Sequence, residues 1–411
     1  MFVSEQALFQ RFFEAFAASR SLHPRELRAA QCIAGCGTRA MGAHVLACPE
    51  GACEQLQFHA CRHRSCPRCA QSSRSRWVDA EFQRLLPCPH WHIVVTLPHE
   101  LIPLWSFNRS RFTSLFMRCV RESLLELMRQ PRYRGAPPGV IPGLLLSLHT
   151  WGRTLSHHPH VHCLLTAGGI DAAGRWRDMP SNWVMPVRAL QALLRGKLLG
   201  AIGQAVDHGC WSLPPDQTSQ PWRQQLRALW RKHWNVEIRG PYDHGRGVVL
   251  YLARYAKGAP VPPHRFLQLL DHPGPPELRM PYLDHRSGQQ RTLHLSVDEF
   301  ISRVLWHAPA RGIHTTRHAG LYTAAHSHHH LAAQQQLRHR PQPQPWPRPT
   351  TSPAPTPALC PHCQQPMLRG RALPAPHPLH PCPPHQRGEF YPQHAYNGSL
   401  RPQRGPTPRS S

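Results

Sequence analysis

Acidic residues and lysine are scarce in this sequence. The 411 residues include 22 Asp plus Glu against 48 Lys plus Arg, a formal net charge of +26, and only three of the basic residues are lysine. So few carboxylates exclude an acidic scaffold protein. The net charge indicates a polyanionic partner, with nucleic acid ahead of an anionic membrane. A codon-biased genome is an alternative source of the arginine excess, although arginine is also the cation best suited to bidentate phosphate contacts.

Long apolar runs and a targeting signal are missing as well. The longest apolar runs, around 93–95 and 144–146, are far shorter than the ~20 residues that span a bilayer. Glu5 and Glu14 interrupt the apolar N-terminal residues, and no basic region or small-residue cleavage site accompanies them. We therefore expect a cytoplasmic protein with no membrane association, whose 14 cysteines are thiols or metal ligands rather than disulfides.

The distribution of cysteine and proline divides the chain into segments. Residues 1–30 have the spacing of one or two amphipathic helices, residues 31–87 hold a cysteine cluster, and 88–325 have the pattern of an α+β domain. Residues 338–411 form a tail rich in Pro, Arg and His, and 341–411 contain 20 of the 46 prolines and one acidic residue, so we expect disorder there. The periodicity of the α+β domain predicts strands at 92–97, 144–150 and 160–166, and helices at 109–128, 187–206, 222–234 and 247–257.

The cysteine cluster indicates bound zinc. In Cys66-Pro-Arg-Cys69 two thiolates two residues apart can reach one tetrahedral ion, as in a zinc knuckle. The cluster has enough ligands for one zinc ion and for a second. Buried free cysteines are the alternative, whereas a catalytic thiol is disfavoured because no redox βαβ pattern surrounds the motif. The candidate zinc ligands are Cys36, His44, Cys48, Cys53, Cys61, Cys66 and Cys69.

Arginines alternate with these cysteines. Arg62, Arg64 and Arg68 lie between or beside the candidate ligands. Because guanidinium groups pair with phosphate, we expect this segment to contact the DNA backbone. A solvated basic face with no ligand is the alternative.

Histidines alternate along one predicted strand, 158–165. Side chains of a strand point alternately to its two faces, so His158, His160 and His162 share a face while Val161 and Cys163 point into the core. Two imidazoles one residue apart can chelate a divalent ion together with a third ligand from elsewhere. The chain has 32 histidines, so a chance pair is the alternative; the apolar strand around this pair favours a metal site.

Two tyrosines lie one turn apart on the predicted helix 247–257. Tyr251 and Tyr255 share a face because they are four residues apart. A phenol can attack a phosphodiester and form a covalent phosphotyrosine, and Arg254 and Lys257 supply positive charge nearby. Taken alone, such a pair is more often core packing. A histidine metal site in the same basic chain makes the nucleophile the better interpretation.

In this order the motifs resemble the rolling-circle transposases of the insertion-sequence-91 type, members of the HUH (His-hydrophobic-His) endonuclease superfamily. The resemblance runs from about residue 25 to 325. The segment from Cys36 to Cys69 is similar to the family's zinc-binding domain, although Cys48 and Cys53 stand where the family often has CxxC. Farther on, 360–385 resembles a zinc ribbon that some relatives carry, with Cys360, Cys363, Cys382 and several histidines as candidate ligands.

The resemblance implies a fold, a site and cofactors. It implies a ferredoxin-like HUH nuclease core with a central antiparallel sheet, preceded by a small zinc-binding domain. It also implies a catalytic Mg²⁺ or Mn²⁺ held by His160 and His162, beside structural Zn²⁺, with Tyr251 and Tyr255 as nucleophiles. His158 is the first choice for a third metal ligand and His149 the second. Arg62, Arg64, Arg68, Arg254 and Lys257 are the candidate DNA-binding residues.

The activity so implied is DNA transposition. One tyrosine cuts single-stranded or hairpin DNA at an element end through a 5′-phosphotyrosine, and the second repeats the step. A relaxase or replication initiator of the same superfamily is the alternative within this chemistry. A zinc protein that binds DNA without cutting it is the alternative from another class. A carboxylate transposase is disfavoured because 22 acidic residues supply no convincing trio to hold two metals.

Overall fold

A five-stranded antiparallel sheet carries the strand with the alternating histidines. We describe the protein from a computed structural model. The elements of the chain form four sheets and ten α-helices within the described residues. These residues are 1–129, 139–180, 185–214, 219–262, 265, 267–270, 274–284, 287–310, 312–340 and 358–376.

Three of the helices begin at residues whose side chains cap them. Ser4 and Ser296 accept hydrogen bonds from backbone N–H groups three residues on, and Glu26 completes a capping box with His23. None of the described helices is both long and apolar enough to cross a membrane. The helices are α1 Glu5–Ala18, α2 Pro24–Gly35, α3 Pro67–Arg84, α4 Ile102–Phe107, α5 Arg109–Arg129, α6 Val187–Asp207, α7 Ser219–Arg231, α8 Arg246–Ala256, α9 Val297–Trp306 and α10 Ser327–Gln336.

The strands pair antiparallel throughout the four sheets. They are β1 Phe2–Val3, β2 Ala43–Ala47, β3 Glu54–Phe58, β4 His90–Thr96, β5 Gly143–Trp151, β6 His157–Thr166, β7 Gly168–Ile170, β8 Trp176–Asp178, β9 Val236–Tyr242, β10 Leu267–Leu269, β11 Glu277–Leu283, β12 Gln290–Ser296, β13 Thr316–Gly320 and β14 Leu368–Leu373.

The largest sheet has the order β13-β5-β6-β4-β9, so β6 is its central strand. Strand alternation gives this sheet two different faces. One face, which includes Val161 and Cys163, packs against α5, α6 and α7 in the main hydrophobic core. The other face carries Leu145 and Leu164, and α3 and α8 pack against it through Trp77 and Leu252.

A second sheet, ordered β1-β10-β11-β12, joins the N-terminus to a late part of the chain. Its core combines Phe9 of α1, Ile33 of α2, Met280 of β11 and Phe300 of α9. The N-terminal helices therefore pack against residues some 250 positions later in the chain. They also lead into the cysteine-rich segment 31–87.

A third sheet, β14-β2-β3, brings the C-terminal segment 358–376 onto the cysteine-rich segment. The predicted disorder of 341–411 therefore does not extend to 358–376. The rest of that tail, 341–357 and 377–411 with Cys382, lies outside the described residues.

The predicted fold class is confirmed at the level of an α+β protein with antiparallel sheets. The three predicted strands correspond to β4, β5 and β6, and the four predicted helices to α5, α6, α7 and α8. The helix predicted at 222–234 starts earlier, at Ser219, and ends at Arg231, because the chain then turns into β9 at Val236. The strands of the second sheet were not predicted.

Core packing on α5 supplies a stability test. Leu124 is fully buried in the main core, whereas Leu331 on α10 is 52% exposed. We expect Leu124→Ala to lower the free energy of unfolding by about 2–5 kcal/mol, because the substitution removes buried methyl groups and leaves a cavity. Leu331→Ala is the matched control and should change it by less than about 0.5 kcal/mol. Urea unfolding of both variants measures the difference, and equal effects would contradict the assigned core.

Candidate functional site

Three histidines of neighbouring strands meet on the face of the large sheet opposite the main core. His149 on β5 lies directly across from His160 on β6, and His162 follows on the same face. One ring nitrogen of each lies within 4.8 Å of the others, and all three side chains are buried. Because β5 and β6 are antiparallel with this register, the cluster follows from strand pairing alone.

Hydrogen bonds fix which nitrogens face the centre of the cluster. The Nδ1–H of His160 donates to the carbonyl of His158 at 2.5 Å, and Nδ1 of His162 shares a hydrogen bond with Nε2 of His92 at 2.8 Å. Nε2 of His162 and Nδ1 of His149 are buried without a hydrogen-bond partner among the described residues. Buried imidazole nitrogens without partners are what a bound metal ion would satisfy, so these residues fit a divalent cation.

The histidines of the cluster are neutral at ordinary pH. Burial lowers the pKa of His160 to about 4. Burial, and then the neighbouring His160 and His92, lower the pKa of His162 to about 2. Burial also lowers the pKa of His149 well below its usual value. Metal ligation requires the neutral imidazole, so the cluster is in its ligand form near pH 7.

The group whose ring nitrogens lie within 4.8 Å of one another includes His149, the second choice from the sequence, and not His158, the first choice, whose ring is centred 5.0 Å from that of His160. His158 is exposed near the start of β6. The pairing of β5 and β6 is irregular between His149 and Trp151, next to that start, whereas His149 pairs regularly with His160. A single strand shows its own alternation but not its cross-strand partner, so the sequence pattern favoured His158.

Both tyrosines of α8 lie against the histidine cluster. The ring of Tyr251 is centred 5.5 Å from that of His162 and 6.0 Å from that of His92. The ring of Tyr255 stacks on His149 at 4.6 Å, and the two tyrosine rings are 5.6 Å apart. The opposite side of α8, with Leu252 and neighbouring apolar residues, packs into the core. Helix packing therefore holds both phenols at the cluster.

A cleft of about 460 Å³ opens beside Tyr251. Burial, and then the neighbouring Tyr255, raise the pKa of Tyr251 to about 12. The phenol therefore keeps its proton at neutral pH, and its reactivity requires positive charge at the site. The cleft is lined by His92, Arg239, Tyr242, Asp243, His244, Gly247, Val248 and Tyr251.

Four cysteines form a compact group at the start of α3. Sγ of Cys69 lies 3.5 Å from that of Cys36 and 3.6 Å from that of Cys61. These separations are close to the ~3.8 Å edge of a tetrahedral zinc–thiolate site with Zn–S bonds of ~2.3 Å. The fourth member is Cys66, which precedes the first turn of α3. The group fits one zinc ion.

The remaining predicted zinc ligands lie elsewhere. Cys48 groups with Cys360 and Cys363, and Sγ of Cys53 lies 3.5 Å from that of Cys360. His44 belongs to neither cysteine group of the described residues: its Nδ1 lies 2.5 Å from Nε2 of His59, and Nη2 of Arg369 donates to its ring. The sequence cluster thus separates into two groups of cysteines and a histidine pair, because β2 and β3 carry its middle part away from α3.

The five candidate DNA-binding residues have different environments. Arg62 and Arg254 are exposed, and Arg68 is exposed while donating to the carbonyl of Cys36 at 3.0 Å. Lys257 is partly buried, and burial lowers its pKa, with Arg64 contributing. Arg64 reaches inward, where burial lowers its pKa to about 10. The side chains of Arg62, Arg68 and Arg254 lie at the surface, whereas the guanidinium of Arg64 contacts other residues of the protein.

Arg64 joins the zinc-binding segment to the tyrosine helix. Its guanidinium donates to Oγ1 of Thr315 at 2.8 Å and to the carbonyl of Tyr255 at 3.1 Å. That carbonyl lies in the last turn of α8, where the helix dipole favours a cation. The sequence pattern predicted neither this contact nor the hydrogen bond of His92 to His162. The position of His92 on β4, the strand that pairs with β6, is the feature that could have indicated it.

Two family models match the chain. A model described as "Transposase zinc-binding domain" matches residues 8–97, and one described as "Putative transposase" matches residues 143–330. The first range includes the cysteine group at α3, and the second includes the three clustered histidines and both tyrosines of α8.

Two curated relatives cover most of the chain. "Putative transposase y4qJ" of Sinorhizobium fredii is 31% identical over 320 residues, which are 76% of this chain and 78% of the relative. "Transposase for insertion sequence element IS801" of Pseudomonas savastanoi pv. phaseolicola is 31% identical over 291 residues, 69% of this chain and 67% of the relative. No solved structure matches the chain.

The Arg64 contact predicts a coupling between the two segments. We expect Arg64→Ala to lower the free energy of unfolding by about 1.5–3 kcal/mol, because the carbonyl of Tyr255 and the hydroxyl of Thr315 lose a charged donor. Arg76→Gln, an exposed site on α3, is the control and should change it by less than about 0.5 kcal/mol. Urea unfolding measures both, and an Arg64→Ala variant as stable as the control would refute the coupling.

Proposed function

The chain belongs to the insertion-sequence-91 type transposases, and from this membership we propose that it nicks and rejoins single-stranded DNA at element ends through Tyr251 and Tyr255. The observation that carries the proposal is the position of both phenols against one buried cluster of three neutral histidines. Tyrosines that serve only to pack the core are usually surrounded by apolar side chains, not by three buried imidazoles. The antiparallel order of the large sheet, with the histidine strand at its centre, supports a ferredoxin-like HUH core.

Each tyrosine would act as a nucleophile on a scissile phosphate. The phenolic oxygen forms a bond to phosphorus, and the bond between phosphorus and the 3′ oxygen of the preceding nucleotide breaks. The phenolic proton passes to solvent, and the leaving 3′ oxygen takes up a proton. The product is a 5′-phosphotyrosine and a free 3′ hydroxyl. The second phenol can repeat the step on another strand, because the two rings lie 5.6 Å apart on one helix face.

His149, His160 and His162 would hold the catalytic divalent ion. When bound, Mg²⁺ or Mn²⁺ polarises the non-bridging oxygens of the phosphate. The three ligands are neutral, so they leave the full charge of a divalent ion available to the phosphate. An all-imidazole set favours Mn²⁺ over Mg²⁺, which prefers oxygen ligands. His92 acts as a positioning residue, because its hydrogen bond to Nδ1 of His162 leaves Nε2 of that ring facing the cluster.

The cleft beside Tyr251 is the proposed path of the substrate strand. Arg239 lines it and lowers the pKa of Tyr251 against the larger effect of burial. Tyr242, which is 41% exposed, offers an aromatic surface on which a base can stack. Arg254, exposed on α8, supplies further positive charge near Tyr251. These features suit an unpaired strand, whose bases are free to stack.

The test of the proposal is a covalent adduct. Purified protein, Mn²⁺ and labelled single-stranded oligonucleotides tiling the DNA that flanks the gene should yield a protein-linked band on a denaturing gel. We expect Tyr251→Phe and Tyr255→Phe each to lose or shift one cleavage step, and the double variant to yield no adduct while still binding DNA. Tyr282→Phe in the second sheet is the matched control and should keep the full yield.

Three results would overturn the assignment. An unchanged adduct yield in the double variant would exclude these tyrosines as nucleophiles. Tight binding by the wild-type protein without any adduct would favour a zinc-dependent DNA-binding protein. Cleavage at a plasmid transfer or replication origin, and none at element ends, would favour a relaxase or an initiator.

The third metal ligand has its own test. We expect His149→Ala to lower Mn²⁺ affinity at least about 10–100-fold, because the cluster keeps only two imidazoles after the change. His158→Ala is the matched control, since it keeps the carbonyl that orients His160 and should leave the affinity nearly unchanged. Isothermal titration calorimetry on both variants, with circular dichroism to verify folding, measures the difference. A larger loss of Mn²⁺ affinity in His158→Ala than in His149→Ala would identify His158 as the third ligand instead.

A further inference from the structure

The C-terminal segment 358–376 lies against the N-terminal cysteine-rich segment through a side-by-side strand pair. β14 pairs antiparallel with β2, and Leu368 stands opposite Ala47. The apolar contacts between the two segments are few: the buried cluster there consists of Leu46, Cys48, Cys360 and Met367. So small a core supplies little hydrophobic stabilisation, and small folded units of this kind are commonly held by a metal or by disulfides.

Four sulfurs meet at this junction, two from each segment. Sγ of Cys48 lies 3.5 Å from that of Cys363, and Sγ of Cys53 lies 3.5 Å from that of Cys360. Cys48, Cys360 and Cys363 all lie within 4.8 Å of one another. Disulfide sulfurs are ~2.05 Å apart, whereas the thiolates of a tetrahedral zinc site are ~3.8 Å apart. The spacing of Cys48, Cys360 and Cys363, with Cys53 next to Cys360, fits thiolate ligands of a common ion rather than disulfides.

Both cysteine pairs sit on tight turns that face each other. In the turn between β2 and β3, the N–H of Gly51 donates to the carbonyl of Cys48, and the N–H of Cys48 to the carbonyl of Cys53. The second turn repeats this arrangement: the N–H of Gln364 donates to the carbonyl of Cys360, and the N–H of Cys360 to that of Gln365. Two such turns opposing one another build a four-cysteine site.

We propose that Cys48, Cys53, Cys360 and Cys363 bind a second zinc ion, separate from the one at α3, and that this ion fastens the C-terminal segment to the zinc-binding domain. Its two pairs of ligands, Cys48 with Cys53 and Cys360 with Cys363, are more than 300 positions apart in the chain. The zinc-binding domain is then discontinuous, because the whole catalytic region lies between its two parts. Residues 358–376 belong to that domain and supply β14 as the third strand of its sheet. The exposed Arg369 and Arg371 add positive charge to it.

Zinc stoichiometry of the full chain tests this site. The Cys360→Ser, Cys363→Ser double variant should contain one zinc fewer per chain than the wild type, by elemental analysis after extensive dialysis. The Cys61→Ser, Cys66→Ser variant should also lose one, from the group at α3. Cys210→Ser is the control, because this exposed cysteine lies in neither group, and it should lose none. Equal zinc content in the wild type and in the Cys360→Ser, Cys363→Ser variant would overturn the proposal.

Three further measurements keep the proposal testable if that variant fails to fold. Native mass spectrometry of the wild-type chain should show two tightly held zinc ions that leave on treatment with a chelator, and all four thiols should react with an alkylating agent only after the metal has left. Thiols that remain unreactive without metal until a reductant is added would identify disulfides and refute the site. Hydrogen exchange in β2 should increase on metal removal; unchanged exchange would refute the fastening role.

Discussion

The antiparallel register of β5, β6 and β4 is the constraint on which the candidate site depends. It places His149 opposite His160 and His162 two residues farther along the same face, and it puts His92 on the neighbouring strand within hydrogen-bond distance of His162. A slip of one residue in either pairing would move the imidazoles of that strand into the main core. The apolar residues that alternate with them, such as Val161 and Cys163, fix the register because they are completely buried.

The same alternation explains how the tyrosines reach the cluster. The histidine face of the sheet also carries Leu145 and Leu164, and the apolar side of α8 packs there beside α3. Since Cys66 is the N-cap of α3, the cysteine group at the start of that helix is connected to α8 through helix packing and through Arg64. The zinc-binding domain thus supports the position of the tyrosines, in addition to any contact that its exposed arginines make with DNA.

Short-range periodicity predicts the elements that carry the candidate site, but not how they come together. The strands β4 to β6, the helix α8, the pair His160 and His162, and both tyrosines all follow from alternation or helical spacing within about ten residues. The proximity of His149 to His160 and His162, the hydrogen bond between His92 and His162, and the proximity of Cys48 to Cys363 depend on pairings between distant segments, which spacing does not reveal. The pairing of β1 was missed for the same reason: β1 has two residues, and it pairs with β10 some 265 positions later.

Arginine serves two purposes in this chain, and the net charge of +26 does not distinguish them. Arg62 and Arg254 are exposed, where a phosphate can replace water at little cost. Arg64 is partly buried, and its guanidinium donates to the carbonyl of Tyr255 at the negative end of the α8 dipole. A lysine could not donate from two nitrogens of one planar group to Thr315 and to that carbonyl. At Arg64 the fork of the guanidinium is used for two hydrogen bonds within the protein, whatever the origin of the arginine excess in the rest of the sequence.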